Sequence, residues 1–252
     1  MNHTRAITNE FAKMRHLRTS LFVALLTVAA TGMAIYAVLG GGVLGRLDDP
    51  GGHGWKVLLS GLSTGASLVS PVLLAVLASR QVEIEHTGHG WLSSSTAGLT
   101  PGRMCRAKLG SLGVLVTGAT VSWGVLLITF GMLIGITEPA PLGRWAGSIG
   151  ALVITNLAVL AFHIVLSAKV ENQLASVGVG LAGILLAIFS SMFPSWLAHL
   201  VPWGYYSLTV PADYVGLELV YLDVPYLSVL GLAAIGGGLF LLVTGRFDRQ
   251  EA

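Results

Sequence analysis

Residues Arg80 to Leu109 read RQVEIEHTGHGWLSSSTAGLTPGRMCRAKL, the only long polar segment lying between two strongly apolar runs, and the rest of the chain is organised around it. Its first residues continue the preceding apolar helix into water with Arg80, Glu83 and Glu85. A short segment follows Gly90 in which Trp91 and Leu92 are the only large apolar side chains, and Leu99-Thr100-Pro101-Gly102 then breaks any helix. Arg103, Arg106 and Lys108 form a basic collar before the next apolar run. Acids, a small amphipathic turn, a proline break and a basic return to apolar sequence describe a cytoplasmic docking loop over residues 80–108.

Composition gives the setting of that loop. Apolar residues make up 54% of the chain and charged residues 10%, against roughly 25% charged in a soluble domain. The balance predicts an all-α integral membrane protein. Six runs are long enough to cross a hydrocarbon core of roughly 30 Å, which needs about 20 helical residues. They lie near residues 20–40, 56–79, 109–136, 145–168, 173–193 and 225–245, within a single transmembrane domain covering residues 1–252. None alternates as a strand does, and backbone groups in lipid must be satisfied inside their own segment, so helices are expected throughout.

Charge placement sets the orientation. Of the 14 Lys and Arg residues, eleven lie in the segments that are cytoplasmic if the N-terminus is, and only Arg46, Lys56 and Arg144 lie in the others. That bias places both termini and the 80–108 loop in the cytoplasm of a multi-pass plasma-membrane protein. The net charge of +2 is too small to suggest nucleic acid as a partner. The single cysteine, Cys105, excludes an internal disulfide and any cysteine-built zinc or redox site. Before the first run, Phe11, Met14 and Leu17 recur at about a helical turn. Two readings stand: a short interfacial helix with its basic face on anionic lipid, or a loosely ordered basic leader. A cleaved signal peptide fits less well, because the apolar run after Ser20 is about twenty residues long and lacks a small-x-small site.

Small residues cluster within the runs: Gly61 and Gly65, Gly131 and Gly135, and the triplet Gly236-Gly237-Gly238. Close helix packing accounts for them, and a hinge at the triplet is the competing reading. The segment 193–224 contains no Lys or Arg but holds Pro194, Pro202 and Pro211 with Trp196, Trp203, Tyr205, Tyr206, Tyr214 and Tyr221. Aromatic rings with a polar edge favour the headgroup level, and the prolines forbid one continuous helix. Short broken helices dipping into the outer leaflet are expected, with an ordinary aromatic belt as the alternative.

The loop features at Glu83, Glu85, Gly90, Trp91, Leu92, Pro101 and Arg103 resemble those of the type-2 ABC exporter permeases, especially the branch that protects cells against lantibiotics and other peptide antibiotics. Ser93-Ser94-Ser95 departs from the more apolar turn of that family. The resemblance implies re-entrant helices between the fifth and sixth spans that cap the exit pathway, with Trp196, Trp203, Tyr205 and Tyr206 as an outer gate. It also implies two copies of a separate ABC ATPase carrying ATP and magnesium, a second permease copy or paralogue, and contact with membrane lipid. This chain has no Gly-x-x-x-x-Gly-Lys-Ser/Thr loop and carries no cofactor of its own. Glu83 and Glu85, two apart on a helix, point about 200° from each other. One is expected to meet the ATPase and the other Arg103 or Arg106, while Trp91 and Leu92 fill an apolar cleft in the partner.

An enzymatic alternative comes from Gly61-Leu62-Ser63-Thr64-Gly65, which has the form of a serine-hydrolase elbow. With His163, it suggests an intramembrane serine protease of the rhomboid kind. An elbow is a strained strand-to-helix turn, whereas Ser63 lies inside a helical run where serine bonds back to its own helix. His163 itself reads either as a neutral imidazole bonded to a neighbouring helix or as a group on the transport pathway. His86 and His89 lie near Glu83 and Glu85, but solvated loop histidines explain them better than a metal site.

Overall fold

In the computed structural model, residues 3–88, 90–96, 98–192 and 194–250 are described. The chain is predominantly helical. In order, the elements are α1 (His3–His16), α2 (Thr19–Gly40), α3 (His53–Thr87), α4 (Gly90–Thr96), α5 (Pro101–Leu133), α6 (Leu142–Lys169), α7 (Gln173–Phe189), α8 (Ser195–Ala198), α9 (Tyr205–Leu208), β1 (Ala212–Val215), β2 (Glu218–Tyr221) and α10 (Tyr226–Gln250). Five of the described helices, α2, α3, α5, α6 and α10, are long and apolar enough to cross a membrane. The fifth predicted run forms α7, with 17 residues, about 26 Å of helix. That is shorter than a roughly 30 Å core, and the chain beyond it breaks into short turns.

Helix α3 is the centre of the bundle. It packs against α2, α5, α6 and α7, and 67% of its most apolar stretch is buried, compared with 28% for α2 and 17% for α10. Small residues make the closest of these contacts. A Cβ on Gly65 would stand 2.5 Å from the Ala30 carbonyl oxygen, and one on Gly61 would stand 2.8 Å from Ala34 Cα. Gly131 likewise leaves room for the Trp55 ring. Gly135 serves a turn instead, at φ +90°. The glycine triplet departs from the packing expectation. Gly237 and Gly238 face open space, and only Gly236 approaches a neighbour, 3.9 Å from Ala158 Cβ.

Both α3 and α5 exceed the predicted spans. At about 1.5 Å per residue, their 35 and 33 residues extend roughly 50 Å, well past the hydrocarbon thickness. The stretch 80–87 and the collar 101–108 are therefore helical arms rather than loop. Proline at the first turn of α5 explains the early start, because the missing N–H has no helical partner there in any case. The N-terminal segment is a defined helix that packs along α5 and α2, with Glu10 and Met14 buried, not a loose leader.

The stretch between α7 and α10 holds the short helices α8 and α9, 3-10 turns at Ser190–Met192 and Pro202–Gly204, and an antiparallel hairpin. Phe193, where the predicted segment begins, lies outside the described residues. The hairpin corrects the all-helical expectation: Ala212 pairs with Tyr221 and Val215 with Glu218, turning at Gly216 with φ +66°. Four-residue strands around a glycine are too short to show periodicity. Trp203, Tyr205 and Tyr206 are buried, whereas Trp196 and Tyr214 are exposed, so only part of the aromatic set is available for a headgroup belt. Tyr206 Oη donates to Asn156 Oδ1 at 2.6 Å, and Asn156 Nδ2 donates to Thr120 Oγ1 at 2.9 Å. This chain of bonds ties that stretch to α6 and α5.

Candidate coupling site

The arms of α3 and α5 meet α1 in a buried ionic cluster. Lys108 on α5 is fully buried and spends all three N–H donors, on Glu10 Oε2 at 2.8 Å, Glu85 Oε1 at 2.7 Å and the Gln81 carbonyl at 2.8 Å. Lys13 on α1 donates to Glu10 Oε1 at 2.7 Å and Glu85 Oε1 at 2.6 Å. Gln81 Nε2 donates to Glu10 Oε2 at 2.8 Å. Two acids and two lysines balance, as burial of charge requires. Burial pushes the Glu10 carboxyl up, but the Lys108 charge and the hydrogen bonds from Lys108, Lys13 and Gln81 outweigh it and hold the group below its ordinary range. Burial likewise pulls Lys13 down, and its hydrogen bonds to Glu10 and Glu85 more than offset this, leaving it raised.

A second tie joins the start of α5 to the end of α10. Arg106 donates to Asp248 Oδ2 at 2.8 Å and to Thr244 Oγ1 at 3.0 Å, and the Arg103 backbone N–H reaches Asp248 Oδ1 at 3.2 Å. Gly102 allows this approach, since a Cβ there would collide with the Thr244 carbonyl oxygen. Both arms are thus held by charge-assisted bonds, the stronger class of hydrogen bond.

Helix α4 bridges the two arms. A Cβ on Gly90 would collide with the Glu85 carboxylate, so glycine lets α4 start against the ionic cluster. Trp91 turns inward: its Nε1–H donates to His86 Nδ1 at 3.2 Å, and its ring packs on Leu99, Met104 and Ala107. Leu92 turns outward and is 69% exposed, beside exposed Ser93 and Thr96. The outer face therefore carries one large apolar side chain among hydroxyls.

The expected roles divide differently on this geometry. Glu85 is 2% exposed and faces Lys108 and Lys13, not Arg103 or Arg106, because α5 is already helical at Pro101 and brings Lys108 to its level. Glu83 is half-buried and makes no ion pair among the described residues. Pro101 is buried and Arg103 exposed at the first turn of α5. Trp91 is an internal anchor, since its N–H and ring are both engaged within the chain. His86 is not a solvated histidine. It is held between Trp91 and the Ser167 carbonyl, 3.0 Å from Nε2, while His89 lies outside the described residues. Among the described residues no group of three or more His, Cys, Asp and Glu is placed to hold a metal.

The sequence reading missed Glu10, Lys13, Gln81, Lys108, Thr244 and Asp248 as members of this site. Their signal was present as acids and bases mixed at the polar ends of α1, α3, α5 and α10, but only the fold brings those ends together. The outer candidates Trp203, Tyr205 and Tyr206 belong to a different region. There His163 is fully buried, with Nδ1 3.0 Å from Ser176 Oγ and its ring edge-on to Phe162 and Trp203. Ser63 bonds back to the Leu59 carbonyl at 3.1 Å. The serine and histidine of the protease alternative thus have separate partners, and that alternative has no support.

No curated protein matches the chain. The family model described as ABC-2 family transporter protein matches residues 6–190, which takes in most of α1, the ionic cluster at Glu10, Lys13, Gln81, Glu85 and Lys108, and all of α4. A match over more than half of the chain, on a bundle of membrane-crossing helices with two clamped arms, identifies it: the protein belongs to the ABC-2 transporter family, as the multi-pass transmembrane subunit of an ABC exporter that works with an ABC ATPase partner.

Proposed function

We propose that this permease exports an amphipathic cargo, and that a peptide antibiotic, in self-protection of the lantibiotic-immunity kind, is the cargo class its loop favours. A drug or lipid is the same chemistry from another source. The observation that carries the coupling part is α4, a seven-residue helix carried on two rigid arms with Trp91 turned in and Leu92 turned out. In this reading α7 completes a six-span bundle, the termini and α4 face the cytoplasm, and the outer segment is a re-entrant cap with Trp196, Trp203, Tyr205 and Tyr206 at the gate. His163 is a structural neighbour of that cap. Two permease chains form the pathway and two ATPases, holding ATP and magnesium, dock beneath them. Closure of the ATPases pushes α4, and the clamps to α1, α3, α5 and α10 turn that push into a rigid-body change of access.

The test is co-purification of the ATPase with Leu92→Asp. Truncating or charging a central apolar anchor costs an interface on the order of 2 kcal/mol, about a thirtyfold loss in association. The expected result is loss of the ATPase and of export, with the permease retained in the membrane. Wild-type recovery of the ATPase together with normal transport removes α4 from the coupling role.

A further inference from the structure

His86 lies between α4 and the turn that joins α6 to α7. Trp91 Nε1–H donates to its Nδ1 at 3.2 Å, and its Nε2 lies 3.0 Å from the Ser167 carbonyl oxygen. An indole N–H only donates and a carbonyl only accepts. These partners fix the neutral tautomer, with the proton on Nε2 and a lone pair on Nδ1. A third group waits beside them: Glu171 Oε1 is 3.9 Å from the same Nδ1, on a side chain 85% exposed and free to move. All of this borders a cleft of about 360 Å³ lined by His86, Trp91, Pro101, Lys169, Glu171 and Phe247.

We propose that His86 is the positioning residue of α4 and makes its docking proton-sensitive: neutral His86 holds Trp91, and protonated His86 exchanges Trp91 for Glu171. The proton taken up on Nδ1 occupies the lone pair that accepts the indole N–H, so that bond is lost. The new Nδ1–H then donates to the Glu171 carboxylate, while Nε2–H keeps the Ser167 carbonyl. Trp91 is the inward anchor of α4, so its release frees the helix at that end.

The surrounding charges permit the exchange. From the α6–α7 side, Lys169 shares the cleft with Glu171, but its Nζ stands over the Phe247 ring at 5.6 Å. Helix α4 brings no titratable side chain among its described residues. On α3, Glu85 is committed to Lys13 and Lys108, and Glu83 stands three residues back. From α5 and α10, Arg106 and Asp248 are closed on each other at 2.8 Å, and Arg103 is exposed. Glu171 is the one described carboxylate within 4 Å of the imidazole. The regulatory meaning rests on α4 being the ATPase-facing helix, whereas the exchange itself is a property of the permease alone.

The test uses that distinction. A spin label at Ser93→Cys, in a Cys105→Ser background, reports α4 mobility in the full chain in nanodiscs without any ATPase. Lowering pH from about 8 to about 5, across the range where histidine charges, is expected to raise the ratio of mobile to immobile label. Loss of one ordinary hydrogen bond changes that ratio by about threefold to tenfold. His86→Gln and Trp91→Phe, which keeps the ring but has no N–H, should each abolish the response. Glu171→Gln, which removes the carboxylate that would receive the new Nδ1–H, should reduce the amplitude of the response. A label insensitive to pH in the parent background, a response that persists in His86→Gln or Trp91→Phe, or an undiminished response in Glu171→Gln overturns the proposal. If the label responds while ATPase co-purification ignores Leu92→Asp, the switch stands and the coupling assignment fails.

Discussion

Replacing Lys108 by methionine isolates what the ionic cluster contributes. The side chain is fully buried and bonds Glu10, Glu85 and the Gln81 carbonyl at 2.7 to 2.8 Å. Methionine keeps much of the volume but leaves two buried carboxylates facing a single lysine, Lys13. Removing one partner of a buried pair costs about 3–5 kcal/mol, because the remaining charge is stranded. Lys13 is 34% exposed and still bonds both acids, which argues for the lower end, about 3 kcal/mol. At roughly 2–4 °C per kcal/mol for a chain of this size, Lys108→Met should lower the Tm of the detergent-solubilised protein by on the order of 10 °C. The double variant Lys108→Met with Glu85→Gln restores one acid to one lysine and should recover part of that loss. A single variant that melts with wild type, or a double variant less stable than the single, refutes the charge-balance reasoning.

Three further outcomes follow from the same geometry. The stability that Glu10 lends to α1 docking is complete above its ordinary 4.5 and disappears as pH falls through its lowered folded value. That of Lys13 is complete below 10.5 and disappears as pH rises through its raised folded value. The protection of α1 amides, that is the intrinsic exchange rate at each pH relative to the observed rate, should therefore be flat between these limits and fall beyond both, and a loss of protection inside the window contradicts the clasp. Gly65→Leu, whose Cβ would meet the Ala30 carbonyl oxygen at 2.5 Å, should destabilise by about 1–3 kcal/mol or more. Gly237→Leu, in open space, should stay within about 0.5 kcal/mol, and equal melting of the two would refute the packing assignment. With Cys105→Ser as background, an impermeant thiol reagent applied to sealed cells should label cysteines placed at Asp48, Glu138 and Asp213 but not at Ser94, and the reverse pattern inverts the topology.

The helices were legible because lipid leaves the backbone little choice: long apolar runs must close their own hydrogen bonds. The extra turns were not. Arg80 to Thr87 and Pro101 to Lys108 look like loop by polarity, yet Glu85, Arg106 and Lys108 are internal partners, and polarity alone does not distinguish a solvated acid from one that meets a lysine 23 residues later. Trp91 and Leu92 illustrate the same limit. Adjacent apolar residues on a short helix point about 100° apart, so one faces in and one out, and the positions of His86, Leu99, Met104 and Ala107 in the fold decide which. The hairpin at 212–221 carried too few residues to show alternation. The Gly236 triplet shows the opposite error, since small residues permit close packing without requiring it.

The most direct measurement places a photo-activated cross-linker at Leu92 in living cells and identifies what it captures. Coupling through α4 predicts a covalent adduct with a polypeptide that carries a Walker-type phosphate loop, formed from position 92 and absent when the cross-linker stands at Asp48. No ATPase adduct from position 92, or an equal yield from position 48, would contradict it.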